Sequence, residues 1–522
     1  MGGPTALLGC GQRRAAALRD EYRLAGHWSA QPVDLVRAAA AEHAERVALV
    51  ARGFALTYAE LDERIDHACG SLVQAGVDAS TPVVVVVGND VDSVVAVHAA
   101  LRLDAVVLLV PRSAGETQVA DIIGRTGAEI GVAPNWAEAA EPELSGMVTW
   151  IVLGGDATRR NKYRSQRAAD EPCIVLYTSG TTSKPKGVIH SLSTLLKASV
   201  NYIEAAGLTD DDRIFLISPL ASVTGVLQGL FIGPVLGAPV ILEDKWDPSA
   251  TCELLVSSGA TWYGGPDRLL DRVVDEAVER NAMIPLRAVY LGGTMLDRRI
   301  VQRIEDEFGI IVMRAYGSSE VPVSTSGLRG EPRDVRHGDD GVALTDVEVR
   351  VGSTGDATEC CIRGPHTFLG YTDADDDADA FDDDWFRTGD VAEIDDGRIR
   401  IVGRLKDIII RNGLKIPAAE VEEAVAKVAG VLDCAAYSVA DSTTGERLAV
   451  AVVLESPGRV SLSDVTDALV SAGLPKYKLP EELVVWDEPL PLNANGKVER
   501  NKLDARSAGR PRTLADRLAA KR

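Results

Sequence analysis

One stretch of the chain concentrates side chains that could bind phosphate. Residues 177–190 read Y-T-S-G-T-T-S-K-P-K-G-V-I-H and follow the apolar run Cys173–Leu176. Gly180 and Gly187 permit backbone angles at which successive N–H groups turn inward together, while the hydroxyls add donors and the two lysines add positive charge. The stretch predicts a strand that ends in an anion-binding loop. It differs from the G-x-x-x-x-G-K-[ST] phosphate loop, because no lysine directly follows a second glycine at that spacing.

A second cluster of chemically useful residues, R-A-Y-G-S-S-E, occupies positions 314–320 after an apolar strand predicted at Ile310–Met313. In open α/β sheets, ligands bind beyond the carboxyl ends of strands. Tyr316 offers an aromatic face for a purine, Gly317 permits close approach, and the carboxylate of Glu320 can hold Mg²⁺ against phosphate oxygens. Residue chemistry alone therefore indicates a nucleotide-binding α/β protein.

Composition excludes several classes of protein. The chain has 522 residues and a formal net charge of -22, which argues against nucleic acid or an anionic membrane as the main partner. An uninterrupted apolar run of about 18 residues is missing, as is a signal-peptide pattern, so we expect a cytoplasmic protein without a membrane span. The seven cysteines are scattered and show neither a disulfide framework nor zinc-site spacing. A monomer or a homodimer is expected.

The elements that must position these motifs begin with helical patterns at Arg13–Leu24 and Val33–His43, and Thr57 is a candidate N-cap of a further helix. Two fully apolar runs, Pro82–Gly88 and Ala105–Val110, flank a helical pattern at Val91–Ala100. Strands that are apolar on both faces imply a parallel sheet covered by helices, so this segment predicts a β-α-β unit.

Alternating strands and helices continue after the candidate loop. Strands are predicted at Ile214–Ile217, Pro239–Leu242 and Leu286–Leu291, with helices at Ala250–Ser258 and Asp267–Glu279. From Val347 to Ile362 the pattern changes to alternating β-strands. The acidic run Thr372–Asp384 could suggest a metal site, but such runs are usually solvated loops, which is the interpretation we adopt.

Together these motifs resemble the signature of the adenylate-forming (ANL) superfamily of AMP-dependent synthetases and ligases. The segment 178–187 is similar to its T-S-G-T-T-x-x-P-K-G loop and 316–320 to its Y-G-x-[ST]-E motif. W-F-R-T-G-D at 385–390, G-R-L-K-D at 403–407 and the L-P-x-[TN]-x-x-G-K-x-x-[RK]-x-x-L frame at 490–503 follow in the superfamily's order. The chain most resembles acyl-CoA synthetases of the medium-chain fatty acid or cyclohexanecarboxylate type.

The resemblance implies roles for individual residues. Lys497 and Glu320 would be catalytic, and Glu320 with Thr181 would bind the metal. ATP and AMP would be bound by a larger set, namely Thr178, Ser179, Gly180, Thr181, Thr182, Lys186, Gly292, Gly293, Thr294, Ala315, Tyr316, Gly317, Ser319, Asp390 and Arg404. Lys406 would be the hinge residue, and Gly413 would face the coenzyme A tunnel.

The resemblance also implies a fold and domain boundaries. We expect an α/β protein with a large N-terminal domain of layered α/β sheets plus a small β region, followed by a small, mobile α+β C-terminal domain. The expected boundaries are an AMP-binding domain at 1–402, a hinge at 403–406, a C-terminal domain at 407–510 and a tail at 511–522.

The implied reaction has two steps and uses ATP, Mg²⁺ and coenzyme A. A carboxylate attacks the α-phosphorus of ATP to give acyl-AMP and pyrophosphate, and a thiol then displaces AMP. Coenzyme A is the expected thiol. Two alternatives stay open: an acyl-AMP ligase that loads the phosphopantetheine of an acyl carrier protein, and a non-catalytic nucleotide or acyl binder.

The segment 219–225, P-L-A-S-V-T-G, departs from the P-L-x-H-x-x-G form of many acyl-CoA ligases, because Ser222 replaces the histidine. The acyl pocket is expected to comprise Ser218, Ser222, Val223, Thr224, Gly225, Gly264 and Gly265. These side chains are small or apolar. An aliphatic or alicyclic acid is therefore favoured over an amino acid, whose ammonium group would need a buried aspartate.

Overall fold

The computed structural model describes residues 7–133, 147–151, 153, 162–178, 185–291, 298–456, 458–492 and 498–519. Its strands are β1 Val47–Ala51, β2 Phe54–Thr57, β3 Pro82–Val87, β4 Val106–Pro111, β5 Ile130–Val132, β6 Thr149–Ile151, β7 Pro172–Tyr177, β8 Gly187–Ser191, β9 Ile214–Leu216, β10 Val240–Leu242, β11 Trp262–Gly265, β12 Ala288–Leu291, β13 Ile311–Tyr316, β14 Thr325–Ser326, β15 Val342–Ala343, β16 Glu348–Val351, β17 Glu359–Arg363, β18 Gly370–Tyr371, β19 Phe381–Asp382, β20 Trp385–Asp395, β21 Arg398–Arg404, β22 Ile408–Arg411, β23 Leu414–Pro417, β24 Val431–Asp441, β25 Gly445–Leu454, β26 Glu482–Trp486 and β27 Arg512–Leu514.

The α-helices are α1 Gly9–Leu24, α2 Leu35–Glu42, α3 Tyr58–Gln74, α4 Val91–Arg102, α5 Glu116–Thr126, α6 Leu192–Ala206, α7 Val223–Val226, α8 Gly233–Leu236, α9 Pro248–Ser257, α10 Asp267–Glu279, α11 Arg298–Phe308, α12 Arg333–Gly338, α13 Ala374–Ala378, α14 Ala418–Val425, α15 Leu462–Ser471, α16 Leu503–Arg506 and α17 Asp516–Ala519. A π-helix, Leu227–Ile232, lies between α7 and α8.

The chain divides into two compact units. Unit 1 comprises Met1–Val349, Ile362–Phe386 and Asp396–Ile399, and unit 2 comprises Arg350–Cys361, Arg387–Asp395 and Arg400–Arg522. The segment 403–406 lies wholly within unit 2, and its role as a hinge stays a prediction.

Unit 1 contains a 7-stranded sheet in the order β18-β8-β7-β4-β3-β5-β6. The predicted β-α-β unit is confirmed, because β3 and β4 pair in parallel from Pro82 opposite Val106 onward. Val84 and Val86 join an apolar cluster with side chains of α1 and α5. Val83 and Val85, on the opposite face, are equally inaccessible to solvent. Burial of both faces explains why this strand is apolar throughout.

A second sheet of unit 1 carries the strands that follow the candidate phosphate loop. Its order within this unit is β15-β14-β13-β12-β11-β9-β10-β1-β2. The neighbours from β13 to β1 pair in parallel, whereas β2, β14 and β15 are antiparallel. The carboxyl ends of the parallel strands therefore lie along one edge, as the sequence motifs require.

Helix α3 shows how local sequence sets the start of an element. Thr57 is its N-cap, as predicted: its hydroxyl accepts a hydrogen bond from the Glu60 N–H, and the Glu60 side chain accepts from the Thr57 N–H. This reciprocal capping satisfies two backbone donors that would otherwise lack partners. Ile65, Cys69 and Leu72 then line the buried face at helical spacing.

Unit 2 contains a sheet in the order β23-β22-β25-β26-β27, and β24 also pairs with β25. Strand β25 alternates between two apolar clusters. Leu448 and Val450 pack with residues of α14 and α15, whereas Ala449 and Ala451 pack on the other side with Tyr437 and Trp486. The sheet thus carries helices on one face and a second apolar cluster on the other, which is the α+β arrangement expected for the C-terminal part of the chain.

The cysteines are mostly small interior residues. Cys434 is partly buried and the other six cysteines are buried, and all seven are unpaired. Among the helices in the described ranges, none is both long and apolar enough to cross a membrane.

Candidate active site

The Y-G-S-S-E motif begins inside a strand and continues into a tight turn. Strand β13 extends to Tyr316, beyond the predicted end at Met313. The Tyr316 carbonyl accepts from the Ser324 N–H at 2.8 Å, which folds the segment back on itself. A Cβ atom on Gly317 would lie 2.4 Å from the Val323 nitrogen and 2.7 Å from the Val321 oxygen, so only glycine fits there. Val323 has a positive φ of 42°, a rare conformation for a β-branched residue.

Glu320 is held from both its backbone and its side chain. Its carbonyl accepts from the Phe368 N–H at 2.7 Å, and its Oε1 accepts from the Tyr371 hydroxyl at 2.7 Å. Burial, together with the charge of Glu320, raises the pKa of Tyr371 well above its ordinary value, so the tyrosine remains a donor. The carboxylate is thus oriented before any ligand binds.

His190 fixes the backbone next to Glu320. Its Nε2 lies 2.8 Å from the Ser319 carbonyl oxygen, which can only accept, so Nε2 carries the proton. Nδ1 is left to accept from the Thr194 hydroxyl at 3.0 Å. Complete burial lowers the pKa of His190 to about 4, and the side chain is neutral near pH 7.

The described part of the phosphate loop places Lys186 close to the same tyrosine. The Thr178 N–H donates to the Lys186 carbonyl at 3.0 Å, at the base of the loop. Lys186 Nζ lies 3.0 Å from Asp376 Oδ1 and 4.8 Å from the centre of the Tyr371 ring. Ser179, Gly180, Thr181 and Thr182 lie outside the described residues. The structure therefore brings Lys186 and Glu320 to one tyrosine.

The acidic run that contains Asp376 is structural. Asp373 caps helix α13 by accepting from the Asp375 N–H, and Asp377 accepts from the Tyr371 N–H at 2.9 Å. Within the described ranges, no group of three or more His, Cys, Asp or Glu residues is arranged to hold a metal ion.

Ser222, which takes the place of the histidine in the P-L-x-H-x-x-G form, caps the short helix α7. Its hydroxyl donates to the Pro219 carbonyl at 2.7 Å and accepts from the Gly225 N–H at 3.1 Å. A Cβ on Gly225 would come within 2.0 Å of the Pro219 oxygen. The substitution thus replaces an imidazole by a local capping group. Val223 and Thr224 in the same turn are partly exposed.

Two predicted pocket residues meet at the end of β11. The Gly264 carbonyl accepts from the Ser218 hydroxyl at 3.1 Å and from Gln228 Nε2 at 3.1 Å. Gly265 follows at the end of the strand. The third segment expected nearby, Gly292-Gly293-Thr294, lies outside the described residues.

Asn89 joins the two sheets of unit 1 beside this pocket. It follows β3, and its Nδ2 donates to the carbonyls of Ser218 and Glu243 at 3.1 Å each. Its Oδ1 accepts from the Leu220 N–H at 2.8 Å. Sequence reasoning missed Asn89, Gln228, His190 and Tyr371, whose partners are distant in the chain. A polar residue directly after an apolar strand was the available signal for Asn89.

Unit 2 carries the remaining predicted residues. Arg404 Nε lies 3.2 Å from Asp390 Oδ1, so the structure brings together two of the side chains expected to bind ATP and AMP. Asp390 is almost buried and Arg404 is about half exposed. Lys406 lies in the 3-10 turn Leu405–Asp407, where burial lowers its pKa. Gly413 has a φ of 78° in the turn between β22 and β23. Lys497 lies outside the described residues.

Comparison with known families agrees with the motifs. The family described as AMP-binding enzyme matches residues 36–372, and the AMP-binding enzyme C-terminal domain matches residues 420–497. Triostin synthetase I of Streptomyces triostinicus is 30% identical over 521 residues, which cover 94% of this chain and 97% of that protein. The medium-chain fatty-acid–CoA ligase of Escherichia coli (strain K12) is 27% identical over 526 residues, covering 94% and 92% respectively.

A solved structure shows the same fold. The o-succinylbenzoate coenzyme A synthetase of Bacillus subtilis, in complex with ATP and a magnesium ion, has a TM-score of 0.80 at 24% identity, covering 91% of this chain and 99% of that one. The predicted α/β fold is thereby confirmed. Because the first family match spans well over half of the sequence, the chain belongs to the AMP-binding enzymes of the adenylate-forming superfamily.

Proposed function

We propose that this protein is an ATP-dependent acyl-CoA ligase, which activates a carboxylic acid as acyl-AMP and then transfers the acyl group to coenzyme A. The observation that carries the proposal lies in unit 1. Lys186 of the phosphate loop lies over the ring of Tyr371, and the hydroxyl of that tyrosine holds Glu320. A cation and an oriented carboxylate at one place are what binding of a magnesium polyphosphate requires.

The predicted enzyme class, AMP-forming acid–thiol ligase, and the predicted cofactors ATP and Mg²⁺ are confirmed by the family and by the relatives' activities, which also support coenzyme A. Glu320 would hold Mg²⁺, because a hard cation prefers carboxylate oxygen and Oε1 is already oriented by Tyr371. When bound, ATP supplies the α-phosphorus that the acid attacks and the pyrophosphate that leaves. Lys186 would then offset negative charge on the phosphates, and Tyr316 would contact adenine.

The preferred acid is proposed to be aliphatic or alicyclic. The Ser222 hydroxyl makes its two hydrogen bonds within the cap of α7. Because serine stands here in place of histidine, the pocket has no imidazole at this position to contact the acid's carboxylate. Gly225, Gly264 and Gly265 allow the chain to pack closely at this turn and strand end, because a Cβ at any of them would meet a neighbouring atom at 3.0 Å or less. An amino acid is disfavoured, because its ammonium group would lose solvation beside small and apolar side chains.

Coenzyme A is proposed as the acyl acceptor, with the phosphopantetheine of an acyl carrier protein as the alternative. The Escherichia coli relative is a medium-chain fatty-acid–CoA ligase, which supports coenzyme A. The cytoplasmic location, and the monomeric or homodimeric state, stay predictions from the sequence.

The proposal is tested by measuring AMP and pyrophosphate release from ATP over a panel of carboxylic acids, with and without coenzyme A. We expect AMP release that depends on coenzyme A, together with a thioester product, for one class of acid. Pyrophosphate release without a thioester would point to a carrier protein instead. Nucleotide binding without turnover on any acid would contradict the proposal and indicate a binding protein.

Lys497 is proposed to bridge the acid's carboxylate and the α-phosphate, as the resemblance implies. Removing one preorganised charge of this kind costs about 10²–10³-fold in rate. We therefore expect Lys497→Ala to slow pyrophosphate release by about that factor. Lys502→Ala is the matched control, since Lys502 is exposed and pairs only locally with Glu499. Equal loss in both variants would contradict the assignment.

A further inference from the structure

A buried amide lies beside the predicted acyl pocket with half of its hydrogen-bonding capacity unused. Gln228 is 0% exposed and lies in the π-helix Leu227–Ile232. Its Nε2 donates to the Gly264 carbonyl at 3.1 Å. For its Oε1, the described part of the chain provides no hydrogen-bond donor.

The orientation of this amide is fixed by chemistry. A carbonyl oxygen can only accept, so the nitrogen of Gln228 must face Gly264 and the oxygen must point elsewhere. Turning the amide over would place two acceptors against each other. Buried acceptors are seldom left without a partner, since desolvating one without compensation is costly. The arrangement therefore indicates that a donor reaches Oε1 when the site is filled.

The surroundings of Gln228 favour a ligand group over another protein group. A Cβ on Gly264 would lie 2.5 Å from the Tyr202 hydroxyl and 3.0 Å from Gln228 Oε1, so only glycine fits between these two side chains. The Tyr202 hydroxyl accepts from Trp262 Nε1 at 3.0 Å and makes no hydrogen bond to Gln228 Oε1. The rings of Tyr202, Trp262 and Tyr290 pack edge to face around this site. Among the acceptors named here, Oε1 is the one without a donor, and it lies next to three aromatic rings.

The π-helix itself supports a functional reading. Such segments are rare and are frequently retained at functional sites, because they shift the side chains of one helical turn. This one directly follows the α7 turn that carries Ser222 and Gly225. It places the amide of Gln228 at a buried position, where an apolar side chain could pack without the cost of desolvating a polar group.

From these observations we infer that Gln228 determines specificity, and that the preferred acid carries a neutral hydrogen-bond donor, a hydroxyl or N–H group, away from its carboxylate. The inference rests on the proposed function and narrows its substrate class to hydroxylated or N–H-bearing acids. A neutral donor fits better than an ammonium, because an amide oxygen carries only a partial charge and cannot offset the desolvation of a full one.

The wild-type protein provides the first test. Pyrophosphate release is measured with pairs of acids that differ by one hydroxyl, such as cyclohexanecarboxylate against its 2-, 3- and 4-hydroxy derivatives, and benzoate against the hydroxybenzoates. We expect one hydroxylated isomer to exceed its parent in kcat/KM by about 10-fold or more, since a site that binds a hydroxyl rejects the analogue lacking it. Equilibrium titration with the same pairs should show the preference in Kd.

Gln228→Met tests whether this residue is responsible. Methionine keeps a similar volume but removes the amide oxygen, so the preference for the hydroxylated acid should fall to near unity. Ser199→Ala is the matched control, because it removes a buried side-chain hydrogen bond of unit 1 that runs to the Leu195 carbonyl within one helix and leaves Oε1 in place. Its preference ratio should match that of the wild type.

Each outcome bears on the inference. Turnover of parent and hydroxylated acids at equal kcat/KM would leave the ligase function intact and overturn the role of Gln228, with a buried water as the partner of Oε1. A preference that persists in Gln228→Met, or disappears equally in Ser199→Ala, would also overturn it. If Gln228→Met does not fold, the wild-type pairs still decide. Absence of turnover with every acid would overturn the proposed function, and the inference with it.

Discussion

At the scale of single residues, Tyr371 is the contact that links two motifs of the site. Its hydroxyl donates to Glu320 at 2.7 Å, while its ring lies under Lys186. We expect Tyr371→Phe to leave the ring in place but to release Glu320 from its fixed orientation. Loss of a residue that orients a metal ligand typically costs 10–100-fold in metal affinity. Adenylation measured against Mg²⁺ concentration should therefore show about a 10-fold higher half-saturating concentration.

Tyr437→Phe is the control for Tyr371→Phe. Tyr437 is also buried and its hydroxyl contacts Ser507 at 3.0 Å, but it belongs to unit 2. The same chemical change there should leave the Mg²⁺ dependence unaltered. An unchanged Mg²⁺ dependence in Tyr371→Phe would show that Glu320 does not need this hydrogen bond.

Candidate site residues could be predicted from the sequence where the chemistry of the residue type itself indicates a role, such as close approach at a glycine or cation binding at a carboxylate. Gly317 and Glu320 were predicted in this way, and glycine proves to be the only residue type that fits at 317 beside Val323. Tyr371 and His190 were not, because their partners lie 51 and 129 positions away in the chain. Gln228 was not singled out either, since its significance comes from an oxygen that is left without a partner.

At the scale of elements, Asn89 ties the end of β3 to the loop that leads from β9 to α7. Its side chain donates to the carbonyls of Ser218 and Glu243 and accepts from the N–H of Leu220. Asn89→Ala would leave these buried backbone groups without partners. We expect a loss of about 3 kcal/mol in the free energy of unfolding, because each orphaned buried group costs about 1–3 kcal/mol and water can satisfy some of them. Denaturant unfolding of the variant measures this loss.

Asn201→Ala separates a positioning role of Asn89 from general destabilisation. Asn201 is equally buried, but its side chain makes one described hydrogen bond, to the Thr345 carbonyl. Asn89→Ala should also raise KM for the acid, since it releases the loop around Ser218, whereas Asn201→Ala should not. A KM for the acid that is the same in both variants would contradict the positioning role.

Elements with a clear period were predictable, and those that depend on tertiary contacts were not. Helix α10 has the predicted bounds Asp267–Glu279, and β3 ends within one residue of the prediction. The π-helix at Leu227–Ile232 gave no local signal, because every one of its side chains is buried and periodicity cannot distinguish it from an α-helix. Similarly, β13 extends to Tyr316 because β14 pairs with its last residues.

At the scale of the whole molecule, three buried histidines link folding of unit 1 to pH. Burial lowers the pKa of His98 and His190 to about 4 and that of His366 to about 3. Asp34 and Arg102 act on His98, and His190 and Lys197 act on His366, with smaller effects. Below pH 6.5 the unfolded chain binds protons that the folded chain does not, so stability falls as pH decreases toward 4.

The size of this pH effect can be measured with single variants. At pH 5 each of these histidines should lower the free energy of unfolding by about 2 kcal/mol relative to pH 7, since each pKa unit corresponds to 1.36 kcal/mol. The net charge of -22 diminishes over the same range and opposes the effect, so the comparison must be between variants. His190→Gln should flatten the dependence of unfolding on pH, and His67→Gln, at a partly buried position, is the control. Parallel curves for wild type and His190→Gln would contradict the assignment.

The last prediction concerns the segment proposed as a hinge. Lys406 lies in the 3-10 turn Leu405–Asp407, and Arg500 contacts Asp407 at 3.4 Å within the same unit. Proline at 406 would exclude Leu405 from its helical conformation, at a cost of up to about 3 kcal/mol, or about 100-fold. If thioester formation requires rotation about this turn and adenylation does not, Lys406→Pro should slow thioester formation far more than adenylation. Lys406→Ala removes the lysine charge but leaves the backbone free to rotate, so it distinguishes an effect of the charge from an effect of restricted rotation. Equal loss of pyrophosphate release and thioester formation in Lys406→Pro would mean that the turn is a structural part of unit 2 and that the hinge lies elsewhere.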